Sequence, residues 1–417
     1  MSPHAPSAQP RFALSRGEFV AMMALMMALQ ALAIDSMLPA LPAIAGDLSV
    51  GDPNDRQLVV GVYLLGSGLF SLIPGTLADR FGRKTIVLAG LGIYAVFALA
   101  CSLVNEFNSL LVLRILQAFG SSALSVVPSA IVRDRHSGDA MARLNSTISM
   151  VFMIVPVLAP TVGQGVLLVA GWRWIFALLA VMALAMAAWV TLRLPETLNP
   201  EHRQTIRIGN VLTNMRTALL TRESIGYVVA SALIMGGTFS FINSAEQLIS
   251  EHFGMGAAFP LVFAACAATM ILSNLTNARI VERFGARRVS HTALLVYISA
   301  AGLQVFLATR EHQTIWQFVP VMAVNMALMG FLGANFASIA LQPFGRIAGA
   351  AASVQAFIKM VVSATLGILV GQLYDGTARP LALALLLFGL LSLLCVLFSE
   401  RGVLFRRLYP PGTPRPA

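Results

Sequence analysis

The chain has 417 residues, of which 57% are hydrophobic and only 11% charged, and it carries a net charge of +10. So little charge, with a mean hydropathy of +0.79, excludes a soluble globular domain. The basic residues sit in short loops rather than on one face or stripe, which excludes a nucleic-acid-binding protein.

The N-terminal stretch MSPHAPSAQPRFALSRGE is proline-rich, and residues 1–17 read as a disordered tail. The apolar run after it is longer than a signal-peptide core and lacks a small-residue cleavage site, so it is expected to stay as the first span. A membrane-crossing helix needs about 20 apolar residues. On that basis the predicted spans are 18–42, 57–78, 85–105, 109–131, 144–168 and 172–193. A polar linker, 194–223, follows, then spans 224–247, 259–281, 289–309, 315–338, 349–373 and 379–399. A basic, proline-rich tail, 400–417, ends the chain. The expected domains are a first six-helix bundle, 18–193, and a second, 224–399.

Lys and Arg residues orient these spans, because they collect on the cytoplasmic side. One side holds 22 of the 28 and the other only Arg56, Arg173, Arg310 and Arg379, with Arg114 and Lys359 left at membrane depth. Both termini and the linker are therefore expected in the cytoplasm. The halves also repeat. LADRFGRKTI after span 2 returns as IVERFGARRV after span 8, with Asp79 matching Glu282 at an offset of 203 residues. Such a duplication places a substrate site between the halves near the bilayer midplane.

Cys101, Cys266 and Cys395 lie in apolar stretches and read as small apolar residues. No histidines stand at metal-ligand spacing, and no P-loop is present, so neither metal nor cofactor is expected. No nucleophile–base pair points to an enzyme.

Charges inside the membrane carry the chemistry. Asp35 lies within span 1, where a carboxylate costs roughly 2.5–3.5 kcal/mol. It shares a helix face with Ala24, Ala28, Ala31 and Leu38, which leaves room beside it for a proton or cation site. Arg114 in span 4 aligns with Ser121 and Ser125, with Gln117 at the margin. At a rise of ~1.5 Å per residue, Asp35 and Arg114 both fall on the order of 7–9 Å to the outer side of the midplane. That depth permits contact between them. Lys359 sits near the centre of span 11, with Gln355 and Ser363 four residues to either side. It has four open roles: an anion-binding group, a partner of Asp35, a titrating amine, or a snorkelling residue, which its central depth disfavours. Its charge favours neutral, zwitterionic or anionic cargo. Asn243 and Asn325 are further cavity-lining polar groups, as is Asn335, and interhelical hydrogen bonding explains them equally well. Glu246 closes span 7 near the outer face, as a solvated end or a gate.

The segment GTLADRFGRKTIVLAG, Gly75 to Gly90, resembles the signature loop between spans 2 and 3 of the major facilitator superfamily. The resemblance implies an all-α membrane protein with twelve transmembrane helices in two pseudo-symmetric bundles. It also implies a latch role for Asp79, Gly82 and Arg83. Arg80, Lys84, Arg133 and Asp134, with Glu282 and Arg283 of the second repeat, belong to the same expected gating loops. AIDSMLPALPAIA, LVLRILQAFGSSAL, AIVRDRHSGDAMARL and GWRWIFALL together resemble the Bcr/CflA group of drug:proton antiporters, in which an arginine at the place of Arg114 is assigned to proton coupling. VPVLAPTVGQG in span 5 resembles the antiporter motif, with Pro156, Pro160 and Gly163 as helix-bending positions; Ala159 and Gln164 depart from its glycines.

The expected function is proton-coupled antiport of drugs or other small amphiphilic molecules across a bacterial inner membrane, by a monomer. Asp35 and Arg114 would couple protons, and Gln117, Ser121, Asn243, Asn325, Gln355 and Lys359 would line the cavity. A narrow exporter or proton symporter of a metabolite such as a sugar or amino acid is the alternative within transport. A transport-dead membrane sensor or scaffold is the alternative outside it.

Overall fold

The computed structural model describes residues 14–136, 138–198, 221–310 and 312–405. Most of the expected N-terminal tail, of the linker and of the C-terminal tail lies outside the described residues; Arg16 and Gly17, expected in the tail, are the first residues of the first helix. Among the described residues eleven helices are long and apolar enough to cross a membrane, or up to 12 if the bent pair in span 2 is one crossing.

Span 1 is not a single helix. Ser15 caps its start by accepting the Glu18 N–H at 3.2 Å. Helix Arg16–Asp35 ends at Asp35, a short 3-10 turn Leu38–Ala40 follows, and helix Leu41–Asp47 completes the crossing. The break has a local cause. Pro39 has no N–H to return to the Asp35 carbonyl, so the α pattern cannot continue through it. Span 2 comprises Leu58–Phe70 and Leu72–Phe81, bent by 46°. Pro74 leaves the Phe70 carbonyl without its helical donor in the same way.

Spans 3 and 4 are Arg83–Leu103 and Phe107–Arg135. Span 5 is Gly138–Met153 followed by Val155–Ala170, interrupted at Ile154, two residues before Pro156; Pro160 lies inside the second piece. Span 6 is Trp172–Arg193.

In the second half, span 7 is Arg222–Glu246, continued by a π-helical turn, Gln247–His252. Spans 8 to 12 are Phe259–Phe284, Ala286–Ala308, Ile315–Leu341, Ala348–Gln372 and Arg379–Ser399.

The repeat is visible in the backbone. Gly82 and Gly285, 203 residues apart, join successive helices with φ of +105° and +85°. That region is strained for any residue with a Cβ. At Gly82 a Cβ would also run into the Glu196 carboxylate.

Across the halves, span 2 packs on span 11 and span 5 on span 8. The approach is close because the contacts are small: Gly68 faces the Met360–Val361 backbone, and Gly61 faces Ile368. Such small-residue seams let helices in lipid gain van der Waals contact without a hydrophobic drive. One end of the bundle carries the arginine-rich loops and is here the basic face; the other is the far face.

Candidate functional site

Asp35 is 4% exposed and stands where the first helix of span 1 stops. Its carboxylate makes no hydrogen bond or ion pair among the described residues. The small face expected around it is present, since Ala24, Ala28, Ala31 and Leu38 are all buried. Span 5 closes over the break. A Cβ on Gly163 would lie against the backbone of Ser36, the residue next to Asp35. Only glycine lets the two chains come this near.

Arg114 is fully buried and does not bond Asp35. Its Nε donates to the Val59 carbonyl at 2.9 Å, Nη1 to Gln117 Oε1 at 2.8 Å, and Nη2 to the Ala33 carbonyl at 2.9 Å. The ring of Tyr63 lies 4.2 Å from its guanidinium carbon. The helix break explains the last of these hydrogen bonds. The Met37 N–H turns to the Ile34 carbonyl, so the Ala33 carbonyl is left for the arginine. Helix ends leave such carbonyls open. Arg114 thus grips span 1 two residues before Asp35, through the backbone.

A cavity of about 160 Å³ lies within the second half, between spans 7, 10 and 11. Val228, Ser231, Ala337, Ala340, Leu341, Ala352, Gln355, Ala356 and Lys359 line it. The space arises from four alanines at facing positions. Gln355 and Lys359 of the expected cavity residues are here; Asp35, Gln117, Ser121, Asn243 and Asn325 are not. Gln117 serves Arg114. Ser121 donates to the Ala118 carbonyl at 3.0 Å. Asn243 donates to the Phe239 carbonyl at 2.8 Å where spans 7 and 11 meet span 2. Asn325 is buried, with neither amide atom hydrogen-bonded. Asn335 pairs with Asn277 at 2.9 Å, which is interhelical packing.

On the basic face, Arg83 ties Asp79 at 2.6 Å and Asp134 at 2.9 Å. Glu196 accepts from the backbone N–H groups of Arg83 at 2.8 Å and Lys84 at 3.2 Å, capping the start of span 3. Lys84 donates to the Thr191 carbonyl at 2.8 Å. Arg80 lies over Phe81, and Arg133 is exposed. In the second repeat Ala286 replaces Arg83, and Glu282 and Arg283 are exposed, with Arg283 over Phe284. Among the described residues the ionic cluster therefore belongs to the first half, within which its partners lie.

The halves are tied at the far face. Arg56 of the turn before span 2 meets Glu246 at 3.1 Å and Glu251 at 2.5 Å. Asn54 donates to the carbonyls of Gln372 at 3.2 Å and Tyr374 at 2.9 Å. Gln247 donates to Asn54 Oδ1 at 3.0 Å, and Gln372 to the Asn54 carbonyl at 3.0 Å. Burial pushes the Tyr374 phenol up to about 12, so it stays a neutral donor toward the Gln247 carbonyl. Sequence reasoning did not single out Asn54, Arg56, Glu251, Glu196 or Ser231. Arg56 had a signal, as one of only four cations on its side.

A family model described as Major Facilitator Superfamily matches residues 23–367. A bicyclomycin resistance protein homolog of Haemophilus influenzae is 28% identical over 364 residues, 87% of this chain and 91% of that protein. The multidrug resistance protein MdtL of Klebsiella pneumoniae is 29% identical over 324 residues, 77% of this chain and 80% of that one. Among solved structures, a D-xylose–proton symporter superposes with a TM-score of 0.72 at 14% identity, covering 92% of this chain and 98% of that one. A bacterial homolog of the human lysosomal transporter Spinster does so at 0.70 and 16%, covering 93% and 96%. The chain therefore belongs to the major facilitator superfamily of membrane transporters.

Proposed function

We propose that the chain is a proton-coupled antiporter that exports drugs or other small amphiphilic molecules across a bacterial inner membrane by alternating access. Its termini lie in the cytoplasm in this reading, which the arginine-rich basic face supports. The observation that carries this reading is Asp35: a buried carboxyl with no partner among the described residues, at a break in span 1, one residue before the Ser36–Gly163 contact.

An unpaired carboxyl in apolar surroundings holds its proton, and water entering beside it releases the proton. A carrier needs that difference between its two states. Arg114 fixes the backbone next to Asp35 without neutralising it, so the acid remains free to titrate. The far-face ties, with Arg56 at their centre, close one side of the pathway. Bending at Ser36 and Ile154 lets spans 1 and 5 rock together. The protonmotive force supplies about 2.3 kcal/mol per charge per 100 mV. The names of the drug-resistance relatives support the choice of cargo.

The test is proton flux in proteoliposomes carrying a pH-sensitive dye. Adding chloramphenicol or another amphiphilic drug to the wild type is expected to discharge an imposed proton gradient. Asp35→Asn is expected to bind the drug and leave the gradient intact. Gradient discharge by Asp35→Asn at the wild-type rate rejects the coupling role.

A further inference from the structure

We propose that the cavity between spans 7, 10 and 11 is a binding subsite for the carboxylate end of a small organic acid, held by the Lys359 ammonium and the Ser231 hydroxyl. Its place in transport rests on the reading of the chain as a carrier of small molecules; its chemistry rests on the cavity alone.

Among the described residues the three buried guanidiniums are all anchored: Arg56 on Glu246 and Glu251, Arg83 on Asp79 and Asp134, Arg114 on two carbonyls and Gln117. The Lys359 ammonium makes no hydrogen bond or ion pair among the described residues, although it sits about 16 Å along a membrane-spanning helix. No acidic side chain lines the cavity. A cation in that position has an uncompensated charge, and an incoming anion corrects it.

Ser231 supplies an independent observation. Its side chain is buried, and its Oγ has no hydrogen-bond partner. Neighbouring hydroxyls are satisfied, Ser240 on the Gly236 carbonyl at 2.7 Å and Ser363 on the Ala232 carbonyl at 2.9 Å. The Ser363 bond also pins span 11 against span 7, one turn above Lys359. Gln355 is occupied, its amide donating to Ser224 at 3.3 Å and the Ala340 carbonyl at 3.1 Å. The free groups are thus an ammonium, which only donates, and a hydroxyl. Together they demand an acceptor that carries negative charge.

Size and wall chemistry select the body of the ligand. A volume of about 160 Å³ is close to that of an apolar cavity known to hold benzene, about 150 Å³. It is well below the roughly 300–1,000 Å³ of a site for a whole drug. Val228, Ala337, Ala340 and Ala356 provide an apolar wall for a ring or short chain. Inorganic phosphate would leave that wall uncovered and most of its oxygens without donors, and a cationic amphiphile would meet Lys359 head-on.

The experiment is calorimetric titration of the purified full-length protein in detergent with benzoate, benzamide and benzylamine. Benzoate is expected to bind at least tenfold more tightly than either of the others. Lys359→Gln is expected to lower benzoate affinity tenfold or more and erase the preference over benzamide. Lys359→Arg is expected to hold it within a few-fold, and Ser231→Ala to weaken it several-fold. Equal binding of benzoate and benzamide by the wild type overturns the proposal, whether or not Lys359→Gln folds. So does undiminished benzoate binding by a folded Lys359→Gln protein. The transport reading fails separately: a wild type that binds benzoate through Lys359 but moves no small molecule in proteoliposomes keeps the subsite and loses the carrier.

Discussion

Two cations lie deep in the membrane-spanning helices, one in each half, and the chain treats them in opposite ways. Arg114 is fully buried and spends its donors on Val59, Ala33 and Gln117, with Tyr63 against its flat face. Lys359 is half-buried at the edge of an alanine-walled space and spends no donor on the described residues. A planar guanidinium suits fixed carbonyls at set angles; a compact ammonium on a flexible stem suits a visitor. The first half has used its buried charge as a fastener, and the second has kept its charge available.

Removing the fastener is expected to have the largest effect. Arg114→Met strands two carbonyls and an amide in apolar surroundings, and stability is expected to fall by about 3 kcal/mol, read by thermal unfolding in detergent. An unchanged midpoint would erase the distinction between the two cations. Next in size is Gly163→Val, which drives a side chain into the Ser36 backbone. A loss of about 2–3 kcal/mol is expected, together with loss of drug-driven proton flux. Normal unfolding and flux would mean that spans 1 and 5 separate freely at Asp35. Arg56→Gln leaves Glu246 and Glu251 without their cation, weakening far-face closure by about 2 kcal/mol. Labelling of a cysteine placed at Ser244 is expected to speed up by over tenfold, and an unchanged rate would remove Arg56 from the closure. The smallest shift sharpens the comparison most. Lys359→Met is expected to unfold within about 1 kcal/mol of the wild type, or above it, because none of the described residues loses a partner. A drop as large as that of Arg114→Met would make both cations structural.

The spans, the repeat and the turn glycines were legible because each rests on a local rule. About 20 apolar residues make a crossing, and a turn with positive φ asks for glycine, at Gly82 and again at Gly285. The break after Asp35 was also written locally, in Pro39, but a hydropathy reading of 18–42 runs straight through it. The partners of Arg114 were not legible. Depth placed it level with Asp35, yet its bond goes to the Ala33 carbonyl, which is open only because Met37 donates to Ile34 instead. Glu196 reaches Arg83 across 113 residues of chain, and no pattern in either segment announces the meeting. The cavity lies inside the second half because Ala337, Ala340, Ala352 and Ala356 face one another, an arrangement that three separate helices must first assemble.

The knot of side chains around Asn54 and Arg56 has one more implication. It is made of hydrogen bonds and ion pairs at the rim of the bundle, groups that water can serve as soon as they part. Undoing it breaks polar contacts rather than apolar packing, so such a clasp can part and re-form without endangering the fold. Dissolved ions compete for the same charges. Raising ionic strength is therefore expected to quicken turnover, read as the initial rate of drug-driven proton flux.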